Sequence, residues 1–270
     1  MLNTLRQLIF KNPVKSLRPP VMQVLAQSED EIVLGCLRAL SCQDGGLGMF
    51  RLIHLLDAIY KCPQPVKKII SIGSGAGYHE VILAKLFPES TVTAIDLHNQ
   101  KHAYECPNLR TVQGDILNSK SINEVERADF VYSIECLEHI KEDATAFAAM
   151  AEMTCPEGRF YIEVPYATDW DRNDRETVDR EYASFEHFTP GYDASQLSKL
   201  AADSSLEVIS IHNVFWAPLQ PMLVAAVEKF GPEIIHSYID ELLVLLMTDF
   251  KEELAQHRGQ CTGIKMLTQR

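Results

Sequence analysis

The 270-residue chain is 46% hydrophobic, enough to bury the core of one large domain or of a domain with a cap. Its formal net charge of -12, with no cluster of Lys and Arg, argues against a nucleic-acid-coating surface, because phosphate binding rests on grouped cations. Seven scattered cysteines without a C-x-x-C pair indicate neither a zinc finger nor a disulfide framework and fit reduced thiols in a cytoplasmic protein.

The N-terminal stretch "MLNTLRQLIFKNPVKSLRPP" has a short apolar patch but no signal-peptide pattern, and no segment reaches the ~18 apolar residues of a membrane span. The expectation is a soluble, unprocessed protein with no membrane partner. Before Lys67 the pattern predicts helices. Ser28 and Glu31 stand at capping-box spacing, and Leu47, Phe50, Ile53, Leu56 and Ile59 share one helical face, so residues 1–65 read as an N-terminal helical segment or cap.

From Val66 the rhythm becomes short β-rich runs alternating with helical ones: "KKIISIG", "VILAKLF", "TVTAID", "LRTVQGDI", "DFVYSI", "EDATAFAAMAEM" and "RFYIEVP". Such alternation predicts an α/β domain over residues 66–270, a mostly parallel sheet with helices on both faces. The charge-dense run from Asp169 to Glu181 reads as a solvated loop, placed after the fifth strand where a lid would sit. A helix at "ASQLSKLAADS" and a strand at "LEVISIHNVF" follow. The segment from about Pro221 to His257 carries Ile235, Ile239, Leu242, Leu246 and Phe250 at helical spacing before a last strand, "TGIKML". The sheet is thus expected to end in an antiparallel hairpin interrupted by a helical insertion at about 219–258. The helical additions at the two ends cover the ligand crevice, form a homodimer face, or simply complete the core.

The run "IISIGSGAGYHE" places Gly73, Gly75 and Gly77 at the carboxyl end of the first parallel strand, where open α/β sheets bind ligands. Glycine lets the chain turn tightly and lets a ligand lie against backbone. A phosphate-cradling P-loop would need Lys and Ser or Thr where Tyr78 and His79 stand. A dinucleotide turn would want glycine at Tyr78, which disfavours a nicotinamide-dependent oxidoreductase.

Five motifs in order resemble the class I S-adenosylmethionine-dependent methyltransferases, over roughly Val66 to Phe215 with the C-terminal strand completing the domain. "SIGSGAGYHE" resembles the family's first motif, an acidic residue, one residue, then G-x-G-x-G. "TAIDLH" resembles the second, in which the acid ending the second strand, here Asp96, accepts the ribose hydroxyls. "VQGDI" resembles the motif whose Asp, here Asp115, contacts the adenine amino group while Ile116 packs on the ring. "VYSIECLEHI" and "EGRFYIEVPY" resemble the fourth and fifth strands. The resemblance implies a Rossmann-like class I methyltransferase sheet, S-adenosylmethionine as cofactor, and cofactor contacts at Gly73, Ser74, Gly75, Gly77, Asp96, Leu97, Asp115, Ile116 and Ser133. One departure stands out: the family's acid two residues before the first glycine, which commonly orients the methionine end of the cofactor, is here Ser71.

Methyl transfer from a sulfonium is an in-line displacement, so the protein must hold the acceptor atom ~3 Å from the methyl carbon and exclude water. A hydroxyl acceptor must also lose a proton, which a base or a metal assists. Glu135, Glu138 and His139 follow the fourth strand, where a helix beginning near Glu138 would turn the three to one side of the crevice, and His187 lies in "FEHFTP" beyond the fifth. This set resembles the Glu-x-x-Glu-His plus distal His of the small-RNA 2′-O-methyltransferases, where it holds magnesium beside the acceptor hydroxyl. Its first half recurs in ubiquinone-pathway O-methyltransferases. The resemblance implies Glu135, Glu138, His139 and His187 as ligands of Mg²⁺, an ion that prefers oxygen donors, or His139 and His187 as general bases. The same residues in metal-free relatives pack, cap a helix or touch substrate. Trp170 and Trp216 are read as core or lid aromatics, and the other histidines as surface or satisfied polar groups.

The combined reading is a methyltransferase that O-methylates a small-molecule acceptor. Acceptor N or C atoms remain open, as does an RNA 2′-hydroxyl, which the acidity disfavours. A cofactor-binding subunit without activity is the other alternative, for which Ser71 and the long C-terminal insertion give motive.

Overall fold

The computed structural model describes residues 30–43, 47–98, 104–118, 120, 122–216, 225, 228–229 and 261–270. The side chains of Trp170 and Trp216 and nearly all of the helical insertion at 219–258 lie outside the described residues. The chain divides into two compact units, residues 1–60 with 215–261, and residues 61–214 with 262–270.

In the first unit, α1 spans Glu31–Cys42 and α2 spans Leu47–Tyr60. The Asp30 carboxylate caps α1, accepting from the Ile32 amide at 2.9 Å and the Val33 amide at 3.2 Å. A capping box from Ser28 was expected, but that residue lies outside the described residues, and Asp30, immediately before the helix, reaches the orphan amides. α2 was expected to bury one face. Instead every residue from Leu47 to Ile59 except Asp57 is buried, Arg51 and His54 included, as befits a helix apolar on most of its circumference.

The second unit is built on a seven-stranded sheet. Its elements are β1 (Lys68–Ile72), α3 (Tyr78–Leu86), β2 (Thr91–Asp96), β3 (Leu109–Gln113), β4 (Ala128–Ile134), α4 (Asp143–Glu152), β5 (Thr154–Pro165), α5 (Asp169–Asn173), α6 (Arg175–Phe185), α7 (Ala194–Asp203), β6 (Glu207–Trp216) and β7 (Cys261–Gln269). The strand order is β3-β2-β1-β4-β5-β7-β6. β1 pairs in parallel with β2 on one side and β4 on the other, with Ser71 opposite both Ala94 and Tyr132. β7 runs antiparallel to β5, with Met266 opposite Ile162, and with β6 it makes the expected C-terminal hairpin. The sheet is therefore mostly parallel, the Rossmann-like class predicted. β1 and β4 are near-continuous apolar runs because helices cover both faces, and one such core joins Ile70, Val131, Phe147, Phe160, Leu197 and Met266. The strand order departs in opposite directions from β1 and β4, so their carboxyl ends frame the crevice where such sheets bind ligands.

Two expectations fail locally. The charged run from Asp169 to Glu181 is not a loop but belongs to α5 and α6. Asp174 caps α6 by accepting from the Thr177 amide at 3.1 Å, and Arg175 pairs with Asp179 one turn on at 3.5 Å, so the charges line a solvated helix. The helix expected near Glu138 is only a 3-10 turn, Leu137–His139, and α4 starts at Asp143. No helix among the described residues is long and apolar enough to cross a membrane.

Candidate active site

The turn after β1 is pinned to the end of β2. The amides of Gly73 and Ser74 donate to the Ile95 carbonyl at 2.9 and 3.3 Å, and that of Gly75 donates to Asp96 Oδ2 at 2.9 Å. Gly73 has φ +77°, and a Cβ there would meet Cys136 Cβ at 2.7 Å, so the turn packs directly on the chain leaving β4. Gly75 has φ +51° and faces open space, with nothing within 4 Å of where its Cβ would be. Gly77, also left-handed, precedes α3, and Ser74 Oγ is buried without a hydrogen-bond partner.

Asp96 and Asp115 end β2 and follow β3. Asp96 Oδ1 accepts from the His98 amide at 2.9 Å, and Asp115 Oδ1 from the Leu117 amide at 2.9 Å. Ile116 is buried, and Leu97, beside Asp96, is 57% exposed. The buried Ser133 hydroxyl donates to the Ile72 carbonyl at 3.0 Å and ties β4 to β1.

Just past β4, Glu135 takes a left-handed φ of +50° and donates its amide to the Glu163 carbonyl of β5 at 2.9 Å. The 3-10 turn then drives the Glu138 side chain fully inside and leaves His139 42% exposed. The Phe188 amide donates to the Glu138 carbonyl at 2.8 Å, carrying His187 to this point from beyond α6. The His139 and His187 rings meet edge to face, centroids 4.6 Å apart, and His139 Nε2 lies 3.9 Å from Glu138 Oε1. One ligand atom each from Glu138, His139 and His187 lies within 4.8 Å of the others. Glu135 is not part of this group. Burial, and secondarily the neighbouring His139, lowers the His187 pKa to about 4, so its imidazole is neutral near pH 7. Burial and the Glu138 charge push the Cys136 thiol up to about 12, which makes it packing rather than a nucleophile.

A methyltransferase-domain family model matches residues 48–211, more than half of the chain. The chain belongs to that family. With the class I strand order, this makes it an S-adenosylmethionine-dependent methyltransferase. Solved structures share the methyltransferase's fold at low identity. A proposed sarcosine dimethylglycine methyltransferase from Galdieria sulphuraria is 19% identical, with TM-score 0.55 over 83% of this chain and 85% of that one. The geranyl diphosphate C-methyltransferase of Streptomyces coelicolor A3(2), solved with Mg²⁺, geranyl diphosphate and S-adenosyl-L-homocysteine, is 15% identical, with TM-score 0.59 over 83% and 79%. Phosphoethanolamine N-methyltransferase 2 of Haemonchus contortus is 14% identical, with TM-score 0.56 over 93% of this chain and 60% of that one. No curated protein sequence matches the chain significantly.

Around the methyltransferase's glycine turn the structure also gathers residues that the sequence reading passed over. Glu80 and Tyr132 are buried against Ser71 beneath it, and Cys136 packs it against the turn after β4. An acid in the first turn of a helix is ordinarily a dipole partner facing water, so nothing in "GYHE" marks Glu80 as interior.

Proposed function

We propose that this methyltransferase transfers a methyl group to a hydroxyl of a small-molecule acceptor, with the cofactor along the ends of β1, β2 and β3 and the acceptor beside Glu138, His139 and His187. When bound, S-adenosylmethionine supplies an electrophilic methyl group and a neutral thioether leaving group. The residues suit such a ligand. Asp96 already positioned by two amides keeps lone pairs for the ribose hydroxyls, Asp115 faces the adenine amino group, and Leu97 and Ile116 flank the ring. The open backbone at Gly75 and the unpartnered Ser74 hydroxyl receive the amino-acid end. Ser133 then serves as a strut rather than a contact.

On the acceptor side, Glu138, His139 and His187 would hold a divalent cation after a small contraction, since ligand atoms around one ion approach closer than 4.8 Å. One carboxylate with two imidazoles suits a nitrogen-tolerant ion such as Mn²⁺ or Zn²⁺ better than Mg²⁺. Such an ion would lower the cost of deprotonating a hydroxyl. Where no ion is held, His187, with its pKa lowered to about 4, is a poor base, and His139, partly exposed, is the residue to take the acceptor proton; where an ion is held, both histidines are its ligands and the ion itself eases loss of that proton. With the cofactor bound, these residues would hold the acceptor oxygen in line with the methyl carbon and receive its proton.

The observation that carries this reading is the convergence of Glu138, His139 and His187 next to the turn that Cys136 packs against. The test is transfer of an isotopically labelled methyl group from S-adenosylmethionine to matched hydroxyl, amine and carbon-acid acceptors. Label on the hydroxyl series is expected, with Asp96→Ala abolishing both turnover and calorimetric binding of S-adenosylhomocysteine. Label confined to amines or carbon acids overturns the O-methylation reading.

A further inference from the structure

Under the glycine turn lies a buried polar trio that the proposed methyl transfer does not use. Ser71 precedes Gly73 by two residues and Glu80 follows Gly77 by three, so the Glu80 carboxylate is held between the two legs of the turn. Its Oε1 accepts from Ser71 Oγ at 2.5 Å and from the Tyr132 hydroxyl at 2.6 Å. All three residues are 1% exposed. Burial, then the charge of Glu80, raises the Tyr132 pKa well above its ordinary value, so its hydroxyl remains a donor. Glu80 Oε2, by contrast, is buried with no hydrogen-bond partner.

A carboxylate oxygen out of water without a donor is costly, and its presence beneath a ligand-binding turn asks which donor completes it. Four backbone amides of the turn are already engaged: those of Gly73 and Ser74 by Ile95, that of Gly75 by Asp96 and that of Gly77 by Ser74. The ligand of this turn carries a cationic ammonium, and a charged donor facing a buried carboxylate makes the stronger class of hydrogen bond. The strand position two before Gly73, where the resemblance leads one to expect an acid, holds Ser71. The serine hydroxyl instead clasps an acid delivered from the helix.

We propose that Glu80 is a cofactor-binding residue whose Oε1 ties the glycine turn to β4 through Ser71 and Tyr132, and whose Oε2 accepts a hydrogen bond from the ammonium group of S-adenosylmethionine, directly or through one water. The inference rests on the reading of Gly73 to Gly77 as the cofactor turn.

The test is calorimetric titration of the full chain, wild type and Glu80→Gln, with S-adenosylhomocysteine and with 5′-methylthioadenosine, which lacks the amino-acid end. Glutamine keeps an acceptor for Ser71 and Tyr132 but offers the ammonium an amide donor in place of Oε2. Homocysteine-ligand affinity should fall at least about 10-fold while methylthioadenosine affinity stays within about 2-fold, the scale of one charged hydrogen bond. Equal loss for both ligands makes Glu80 a structural brace and overturns the proposal, as does no loss at all. A wild type that binds neither ligand overturns the reading of the turn itself. Should Glu80→Gln fail to fold, Glu80→Asp withdraws the same carboxylate by one methylene. The same narrowing of the ratio is expected there, and an unchanged ratio again overturns the assignment.

Discussion

The turn after β1 and the turn after β4 stand at the ends of adjacent parallel strands and touch each other at Gly73 and Cys136, yet they are held by different means. The first is closed by its own backbone: consecutive amides donate to the end of β2, and three glycines supply left-handed φ values. The second has its chemistry in side chains, a fully buried Glu138 and two histidines brought together from distant segments. A backbone device depends on residues that lack a side chain and tolerates almost no additions. A side-chain device depends on partners, and it should fail in function before it fails in stability.

The largest effect expected from this contrast is at Gly73. Gly73→Ala adds a left-handed strain of about 1–2 kcal/mol to an overpacking cost of about 1–3 kcal/mol against Cys136. Chemical unfolding should show a loss near the sum, and calorimetry no cofactor binding. Gly75→Ala incurs only the strain, because its Cβ meets nothing, so it should remain folded while binding S-adenosylhomocysteine more weakly. Equal destabilisation by the two substitutions would break the picture of a turn sealed on one side and open to ligand on the other.

Next in size is Glu138→Gln, which keeps the shape of the buried side chain and removes its charge. Methyl transfer should drop about 10- to 100-fold, the usual cost of a damaged metal or acceptor shell, with S-adenosylhomocysteine affinity unchanged. Chelation of the wild type should reproduce that loss if an ion is held there. A parallel fall in cofactor affinity would instead make Glu138 part of the first turn's support.

The smallest effect concerns pH. The folded pKa of His187, about 4, lies below its ordinary 6.5, so the unfolded chain takes up this proton first on acidification. The contribution to stability is therefore complete above about pH 6.5, declines as pH falls toward 4 and is level below that. Melting temperatures of the wild type and His187→Gln, compared across this window, should diverge at neutral pH and converge on acidification. Parallel curves would mean that His187 is not held neutral by its surroundings.

Much of the first turn was readable in advance. The apolar runs of β1 and β4 and the glycines are local signals, each set by a period or by a backbone conformation only glycine adopts easily, and the acids Asp96 at the end of β2 and Asp115 after β3 were marked by the resemblance. The helices within the charged run from Asp169 to Glu181 were not readable, because a helix with one thin buried edge and charges elsewhere has no apolar stripe to detect. The turn at Leu137–His139 likewise carries no period.

The order of the strands and the hairpin at the end of the sheet followed from the sequence by itself, because secondary-structure periods and turn chemistry act over a few neighbouring residues, and the class of cofactor followed from the resemblance that five motifs in order carry. Tertiary structure alone decided that Glu135 stays outside the group that His139 and His187 form with Glu138, that the Ser133 hydroxyl ties β4 to β1, and that Ser71 is answered by Glu80. Those outcomes depend on strand register and on which side chains are taken out of water together. Tyr132 and Glu80, 52 residues apart, find each other only because β4 lies beside β1 under the first turn of α3.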